Sequence, residues 1–198
     1  MIDAKKLQGA VGAVPDGIIG RGTCTALFRK CGATADMAQE LAIAANRWFD
    51  EYGILENELR LAHFLAQLIH ESGSFRYMEE LASGKAYEGR KNLGNTQAGD
   101  GVRYKGRGPI QLTGRANYRT FGRLIGIDLE RHPEVAALPS IGLHTALEYW
   151  KSRDLNGLAD ADNVKGITLK INGGMNGLDD RKKHLAKVKA WWGREHEE

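Results

Sequence analysis

The chain has 198 residues, 42% of them hydrophobic, with 28 Lys and Arg against 25 Asp and Glu. Its length fits one domain with at most a small appendage, its hydrophobic fraction excludes wholesale disorder, and a net charge of +3 does not by itself argue for a nucleic-acid partner. Two cysteines, Cys24 and Cys31, exclude a disulfide scaffold and a Cys-rich zinc module.

Near the N-terminus, Pro15-Asp16-Gly17 reads as a turn, and Thr23 as the start of a short helix ending near Lys30. Continuous helix would set Cys24 and Cys31 about 10 Å apart, beyond disulfide reach, so they read as two buried thiols unless the helix breaks before Cys31. The start of the chain lacks the charged, apolar and small-residue pattern of a secretory signal, so export is expected to need help.

The first clear helix is predicted over 36–52, with Leu41, Ala45, Trp48, Phe49 and Tyr52 as one apolar stripe and Gly53 ending it. Over 59–69 eight of eleven residues are apolar, and Arg60, His63 and Gln67 recur at helical spacing on one narrow stripe. That run is too short and too interrupted to cross a bilayer. It predicts a central buried helix whose only wet edge carries the polar stripe. One more turn brings the stripe to Glu71. An ordinary solvated acid at a helix end is the plain alternative. The partial negative charge of the helix end and the apolar surroundings nevertheless favour its protonated form, which suits a general acid. Gly73 then lets the chain turn away.

A second carboxylate is needed to hydrolyse a glycosidic bond, and Glu79 and Glu80 follow closely; spacing does not choose between them. Ten of the 25 glycines fall between Gly84 and Gly126, which implies loops where backbone turns sharply or approaches a ligand. Within them Tyr104-Lys105-Gly106-Arg107-Gly108-Pro109-Ile110-Gln111-Leu112-Thr113-Gly114 is the densest candidate. It lacks the third glycine and preceding strand of a nucleotide loop. Alternation of Ile110 and Leu112 with Gln111 and Thr113 predicts a short extended segment that points Gln111 and Thr113 the same way. Thr113 reads as a helix cap, a holder of water, or both. From Lys85 to Arg123 nine basic residues face two acids, Glu88 and Asp100. This is a solvated basic face or a surface for an anionic polymer. The aromatics there form no nucleic-acid module.

Further helices are predicted over 114–125, with Tyr118, Phe121 and Ile125 inward, over 141–153 after Ser140 as cap, over 164–171, and over 180–192. Asn172-Gly173-Gly174 is a C-cap turn whose Asn amide would suit a sugar acetamido group. The basic 181–192 run reads as a terminal helix docked by Leu185, Val188 and Trp192, with contact to an anionic membrane as the alternative. No internal repeat appears and the strand signal is sparse, so the class is mainly α. His70-Glu71-Ser72-Gly73-Ser74 lacks the second His of a zinc helix, and neither a metal nor another cofactor is expected.

The segments His70-Glu71-Ser72-Gly73, Glu79-Glu80, Tyr104 through Thr113, and Ile171-Asn172-Gly173-Gly174 come in the order seen in glycoside hydrolase family 19, a family of chitinases and bacteriophage endolysins. The resemblance covers roughly residues 40 to 192. It implies a lysozyme-like multi-helix catalytic domain with a deep cleft and at most a small β-hairpin. It also implies Glu71 as general acid, Glu80 as general base and Thr113 as the hydroxyl that positions water. Gln111 and Asn172 match sugar contacts, Arg181 matches an arginine that steadies the base, and Tyr104, Arg107 and Tyr118 are further candidate substrate contacts. The mechanism implied is inverting, with the carboxyls roughly 6.5 to 9.5 Å apart. There are departures: Ser74 replaces a frequent second glycine, Asn176 stands where plant enzymes have an acid, and the interval from Glu80 to Tyr104 is short.

Leu7-Gln8, Gly12, Asp16-Gly17-Ile18-Ile19-Gly20, Thr23 and Ala26-Leu27 resemble the core of a peptidoglycan-binding module. The division expected is therefore 1–32 as a partial wall-binding-like segment and 33–198 as the catalytic domain. With few cysteines and short loops, the chain looks most like a compact phage endolysin acting on bacterial peptidoglycan. The alternatives are a chitinase, a lytic transglycosylase and a non-catalytic wall-binding protein. Such an endolysin is expected to be a monomer held in the host cytoplasm, without nucleic acid or stable membrane insertion, and to reach the wall through a membrane-permeabilising partner.

Overall fold

In the computed structural model, which describes residues 1–193, the chain runs through α1 (Ala4–Val11), α2 (Arg21–Lys30), α3 (Ala35–Trp48), α4 (Glu58–Glu71), α5 (Asp100–Arg103), α6 (Arg115–Ile125), α7 (Pro139–Ser152), α8 (Leu155–Asp160), α9 (Val164–Asn172) and α10 (Leu178–Lys189). Short 3₁₀ turns follow at Lys85–Tyr87, Lys91–Leu93, Pro133–Ala137 and Ala190–Trp192. Side-chain oxygens begin several helices: Asp3, Thr34, Asn57 and Asn163 accept from the backbone N–H three residues on. The mainly α class holds. Pro139 opens α7 and Ser140 does not cap it. The extended segment expected at 110–113 is instead a turn between the isolated bridges Glu79↔Arg107 and Arg107↔Leu112, with Gln111 left-handed at φ 54. The short α1, α5 and α8 span too few residues for periodicity to reveal them.

Helix α4 is the axis of the larger hydrophobic cluster, and all nine side chains from Leu61 to Ile69 are buried. Phe64 meets Phe49 and Trp150 edge-on at 5.7 and 5.2 Å between ring centres. The polar stripe of α4 is not the wet edge expected from its spacing. Helices α8 to α10 close over it and answer each polar group in turn. Arg60 pairs with Asp160 at 2.7 Å and His63 Nε2 with Asp162 at 2.7 Å, and Gln67 and Glu71 both meet Arg181. Burial pushes the His63 imidazole below the ordinary histidine range, against the pull of Asp162.

Residues 1–32 share this core. Phe28 of α2 packs on Phe49 and Phe75, and Leu7, Val11, Cys24 and Leu27 join the same cluster. The residues that resemble a wall-binding module meet one another. The buried Gln8 amide is shared among Asp16, the Ile18 carbonyl and Thr23 at 2.6 to 3.1 Å, and its Oε1 accepts from Gly17 N–H. Cys24 and Cys31 are free and buried, and burial pushes both thiols up to about 12.

A smaller cluster forms around Tyr104, Leu112, Tyr118, Phe121, Leu129 and Ala136. An ion network fastens its rim. The buried Asp100 pairs with Arg115, which also reaches Glu130 at 3.2 Å, and Arg119 meets Glu130 at 2.6 Å. Arg119 first, then Arg115, holds the Glu130 carboxyl down to about 2 from an ordinary 4.5. A depressed carboxyl contributes stability above its unfolded value and loses it as pH falls through the folded one. Glu130→Gln should therefore cost on the order of 2 kcal/mol at pH 7 and flatten the stability profile between roughly pH 4.5 and 2. Urea unfolding across that range checks this; an unchanged slope would show that the network does not carry the rim.

Candidate active site

Glu71 is the last residue of α4, and its side chain keeps 18% of its surface exposed. The guanidinium of Arg181, from α10, is buried against it. Nη2 donates to Glu71 Oε1 and Nη1 donates to Gln67 Oε1. One helical turn separates the two acceptors, so a single planar fork addresses both. The expectation that Arg181 steadies Glu80 is thereby corrected: it holds the first carboxylate. This cation is also one that the local sequence around Glu71 does not disclose. Asn176 lies exposed in the turn before α10, and the neutral Gln67 takes the second branch of the fork. Beside Glu71, His70 Nδ1 meets Asp180 at 2.7 Å and His184 meets the same carboxylate at 3.2 Å. His70 first, with the charge of His184, holds the Asp180 carboxyl below its ordinary range.

The chain leaves α4 through three successive left-handed residues, Gly73, Ser74 and Phe75, at φ 58, 62 and 63. Only the first is a glycine; for the other two this backbone is strained, at about 1–3 kcal/mol each. Two contacts hold it. Ser72 Oγ donates to the Leu68 carbonyl at 2.6 Å and accepts from Phe75 N–H at 2.8 Å, and the Phe75 ring inserts into the core edge-on to Phe28 at 5.3 Å. The departure at Ser74 is thus a backbone event.

Beyond the turn, Glu80 N–H donates to the Gly106 carbonyl at 2.9 Å, and Gly108 N–H to the Met78 carbonyl at 2.8 Å. The two segments therefore pair as a minimal ladder. Neighbouring side chains on extended backbone point opposite ways, which separates the two acids that spacing left equivalent. Glu79 turns to Lys105 at 2.9 Å and Arg107 at 3.2 Å, and Lys105 first, then Arg107, holds its carboxyl below the ordinary range. Glu80 turns the other way. Its Oε2 accepts from Gly106 N–H at 2.8 Å and from the Tyr87 hydroxyl at 3.1 Å. In the sequence Tyr87 is one aromatic within the basic stretch from Lys85 to Arg123, with no local pattern to single it out.

Gly106 leaves room for a convergence. A Cβ there would lie 2.7 Å from Glu80 Oε2, 2.8 Å from Gln111 Oε1 and 3.4 Å from Thr113 Oγ1. Three oxygens therefore face one small space. Gln111 Nε2 donates to the Gly108 carbonyl at 3.0 Å, and the Thr113 hydroxyl donates to the Gln111 carbonyl at 2.9 Å. Each thus turns an acceptor toward that space. Thr113 does not cap α6, which begins after Gly114 with no side-chain cap.

Other expected residues lie elsewhere. Tyr104 and Tyr118 are almost wholly buried in the smaller cluster, so neither contacts a sugar, and this corrects their reading. Arg107 is also buried; it donates to Tyr118 Oη, the Arg103 carbonyl and Glu79, and so frames the loop from behind. The basic stretch is only partly a solvated face, because Arg103, Lys105, Arg107, Arg115 and Arg119 are spent on internal partners. Asn172 stands exposed at the end of α9. Among the described residues no group of three or more His, Cys, Asp or Glu is placed to hold a metal, and no helix is long and apolar enough to cross a membrane.

Comparison with known proteins matches the family described as Chitinase class I to residues 28–167. A Haemophilus influenzae protein named as containing a glycosyl hydrolase family 19 domain is 35% identical over 156 residues, 63% of this chain and 76% of that one. An Arabidopsis thaliana endochitinase is 38% identical over 146 residues, 73% of this chain but 50% of its own length. The chain thus spans about half of that plant relative. Chitinase C from Streptomyces griseus superposes with a TM-score of 0.68 at 23% identity, over 90% of this chain and 96% of that one. The class IV chitinase from Zea mays gives 0.59 at 24%, over 96% and 92%. At these identities the solved structures speak for the lysozyme-like fold.

The left-handed turn makes its own test. Ser74→Gly should raise stability by about 1 kcal/mol, because glycine meets φ 62 without the Cβ clash. Chemical unfolding of the two proteins measures it, and equal or lower stability in the variant would mean that the turn stores no strain.

Proposed function

Because the chain belongs to glycoside hydrolase family 19, we propose that Glu71 and Glu80 are the acid and base of a single-displacement hydrolysis of β-1,4 bonds between N-acetylated amino sugars, with bacterial peptidoglycan strands as substrate. The observation that carries the chemistry is the convergence of Glu80, Gln111 and Thr113 beside Gly106. A water among three acceptors donates both its protons to them and keeps an oxygen lone pair for the anomeric carbon. As that oxygen bonds to carbon, Glu80 takes one of its protons. Glu71 gives its proton to the leaving oxygen and the glycosidic bond breaks, so the configuration inverts without a covalent intermediate. Arg181 occupies Glu71 Oε1, which leaves Oε2 to carry the acid proton, and it stabilises the carboxylate that remains. Transfer of a proton from Glu80 to Glu71 through solvent resets the pair.

Peptidoglycan is favoured by the N-terminal resemblance to a wall-binding module. On this reading the endolysin waits in the host cytoplasm until a partner opens the membrane. Chitin is the second reading, since the plant relatives are named endochitinases.

Mass spectrometry of borohydride-reduced products from purified peptidoglycan, alongside chitohexaose, distinguishes the substrates. The expected result is soluble muropeptides with a reducible end from wild type and at least about 10²-fold less from Glu71→Gln and from Glu80→Gln. Turnover of chitohexaose alone would assign chitin. Anhydro-sugar ends with a mild effect of Glu80→Gln would mean a transglycosylase, and wall binding without released sugar would overturn catalysis.

Gly106→Ala tests the convergence directly. Its Cβ would meet two oxygens at 2.7 and 2.8 Å, so kcat should fall roughly 100-fold or more while the fold is kept. Activity above a tenth of wild type would show that the three oxygens do not act together.

A further inference from the structure

Gln67 is fully buried on α4, one turn before Glu71. Its Oε1 accepts from Arg181 Nη1, while Nη2 of the same guanidinium reaches Glu71. Gln67 Nε2 and Arg181 Nε have no hydrogen-bond partner in the described structure. An interior amide satisfied on one arm only is a poor way to fill a helix interface. A leucine would occupy similar space with no polar group to desolvate. What a leucine could not do is accept from Nη1 of the buried guanidinium, and that one firm bond is to the arginine that holds the first carboxylate.

The guanidinium is planar and rigid, so fixing one branch fixes the direction of the other. We propose that Gln67 is a positioning residue for the acid: by accepting Nη1 it keeps Nη2 on Glu71 Oε1 and so leaves Oε2 facing the substrate oxygen. Its neutrality is part of the role. A carboxylate at the same place would compete with Glu71 for the charge of Arg181, whereas an amide gives the fork a direction and leaves that charge to Glu71. The inference rests on the proposed acid role of Glu71.

The test compares wild type, Gln67→Leu and Gln67→Glu as full-length proteins on whichever glycan wild type cleaves, reading kcat, KM and thermal midpoint. Gln67→Leu removes the acceptor and should lower kcat tenfold or more with KM within twofold. Gln67→Glu keeps an acceptor oxygen and adds the competing charge, and it should also lower kcat tenfold or more with KM held. A merely structural role predicts wild-type kcat in whichever variant folds, with a lowered midpoint as the sole effect, and that result overturns the inference. If Gln67→Leu does not fold, Gln67→Glu decides by the same kcat and KM criterion. Absence of turnover by wild type on every glycan would overturn the acid role of Glu71 itself, and with it this inference. Turnover by wild type with undiminished kcat in the variants overturns the positioning role alone.

Discussion

A guanidinium taken out of water must find its acceptors inside the protein, and in this fold Arg181 finds them along one edge of α4. The same edge carries Arg60 and His63, each answered by an acid from the α8 end of the covering layer, Asp160 and Asp162. The central helix is thus apolar on most of its circumference and polar along one buried seam. The apolar part accepts neighbours in many orientations. The seam accepts α8 to α10 in only one, because a shifted pairing would strand buried charges. Glu71 is the end of that seam, where it emerges to solvent.

The rest of the site is placed by departure from regular structure. A strained left-handed turn carries the chain away from Glu71, and Phe75 pins that turn by entering the core against Phe28. The N-terminal helices thereby support the exit from α4 through ordinary packing. Strain beside Glu71 is tolerable because the surrounding core over-determines it. On the far side of the turn only a few backbone hydrogen bonds join Met78 and Glu80 to the glycine-rich loop. That loop is stiffened from behind by Tyr118, Arg107 and the Asp100–Arg115–Glu130 network. The buried tyrosines support Glu80 at one remove, by holding the backbone that holds it.

The two carboxylates stand in contrasting company. Glu71 meets a buried cation, whereas Glu80 meets a backbone N–H and a phenol, with two neutral oxygens facing the same space beside Gly106. In the proposed mechanism, an acid that must end its step as an anion gains from the nearby charge. In the same proposal, a base that must hold and deprotonate water gains from neutral acceptors that orient the water without competing for its proton.

The sequence by itself determined the helical class, the burial of 61–69, the position of Glu71 at the end of that run, and the glycine-rich stretch in which close approach occurs. These are properties of residues three or four apart, or of local composition, and periodicity reports them directly. Family resemblance added which motifs belong together. Spacing left Glu79 and Glu80 equivalent and the resemblance pointed to Glu80; tertiary structure turns Glu80 toward Gln111 and Thr113, because that depends on how 78–80 pairs with a loop some 26 residues on. Tertiary structure alone decided that Arg181 serves Glu71, a partner 110 residues away, and that Tyr104 and Tyr118 are walled in by α6 and its neighbours. The same holds for the α4 stripe: helical spacing placed Arg60, His63 and Gln67 on one edge, but whether that edge meets water or other helices is settled by what packs there. Partner choice across such separations is fixed by the desolvation of buried charge, and no local pattern records which distant group will answer it.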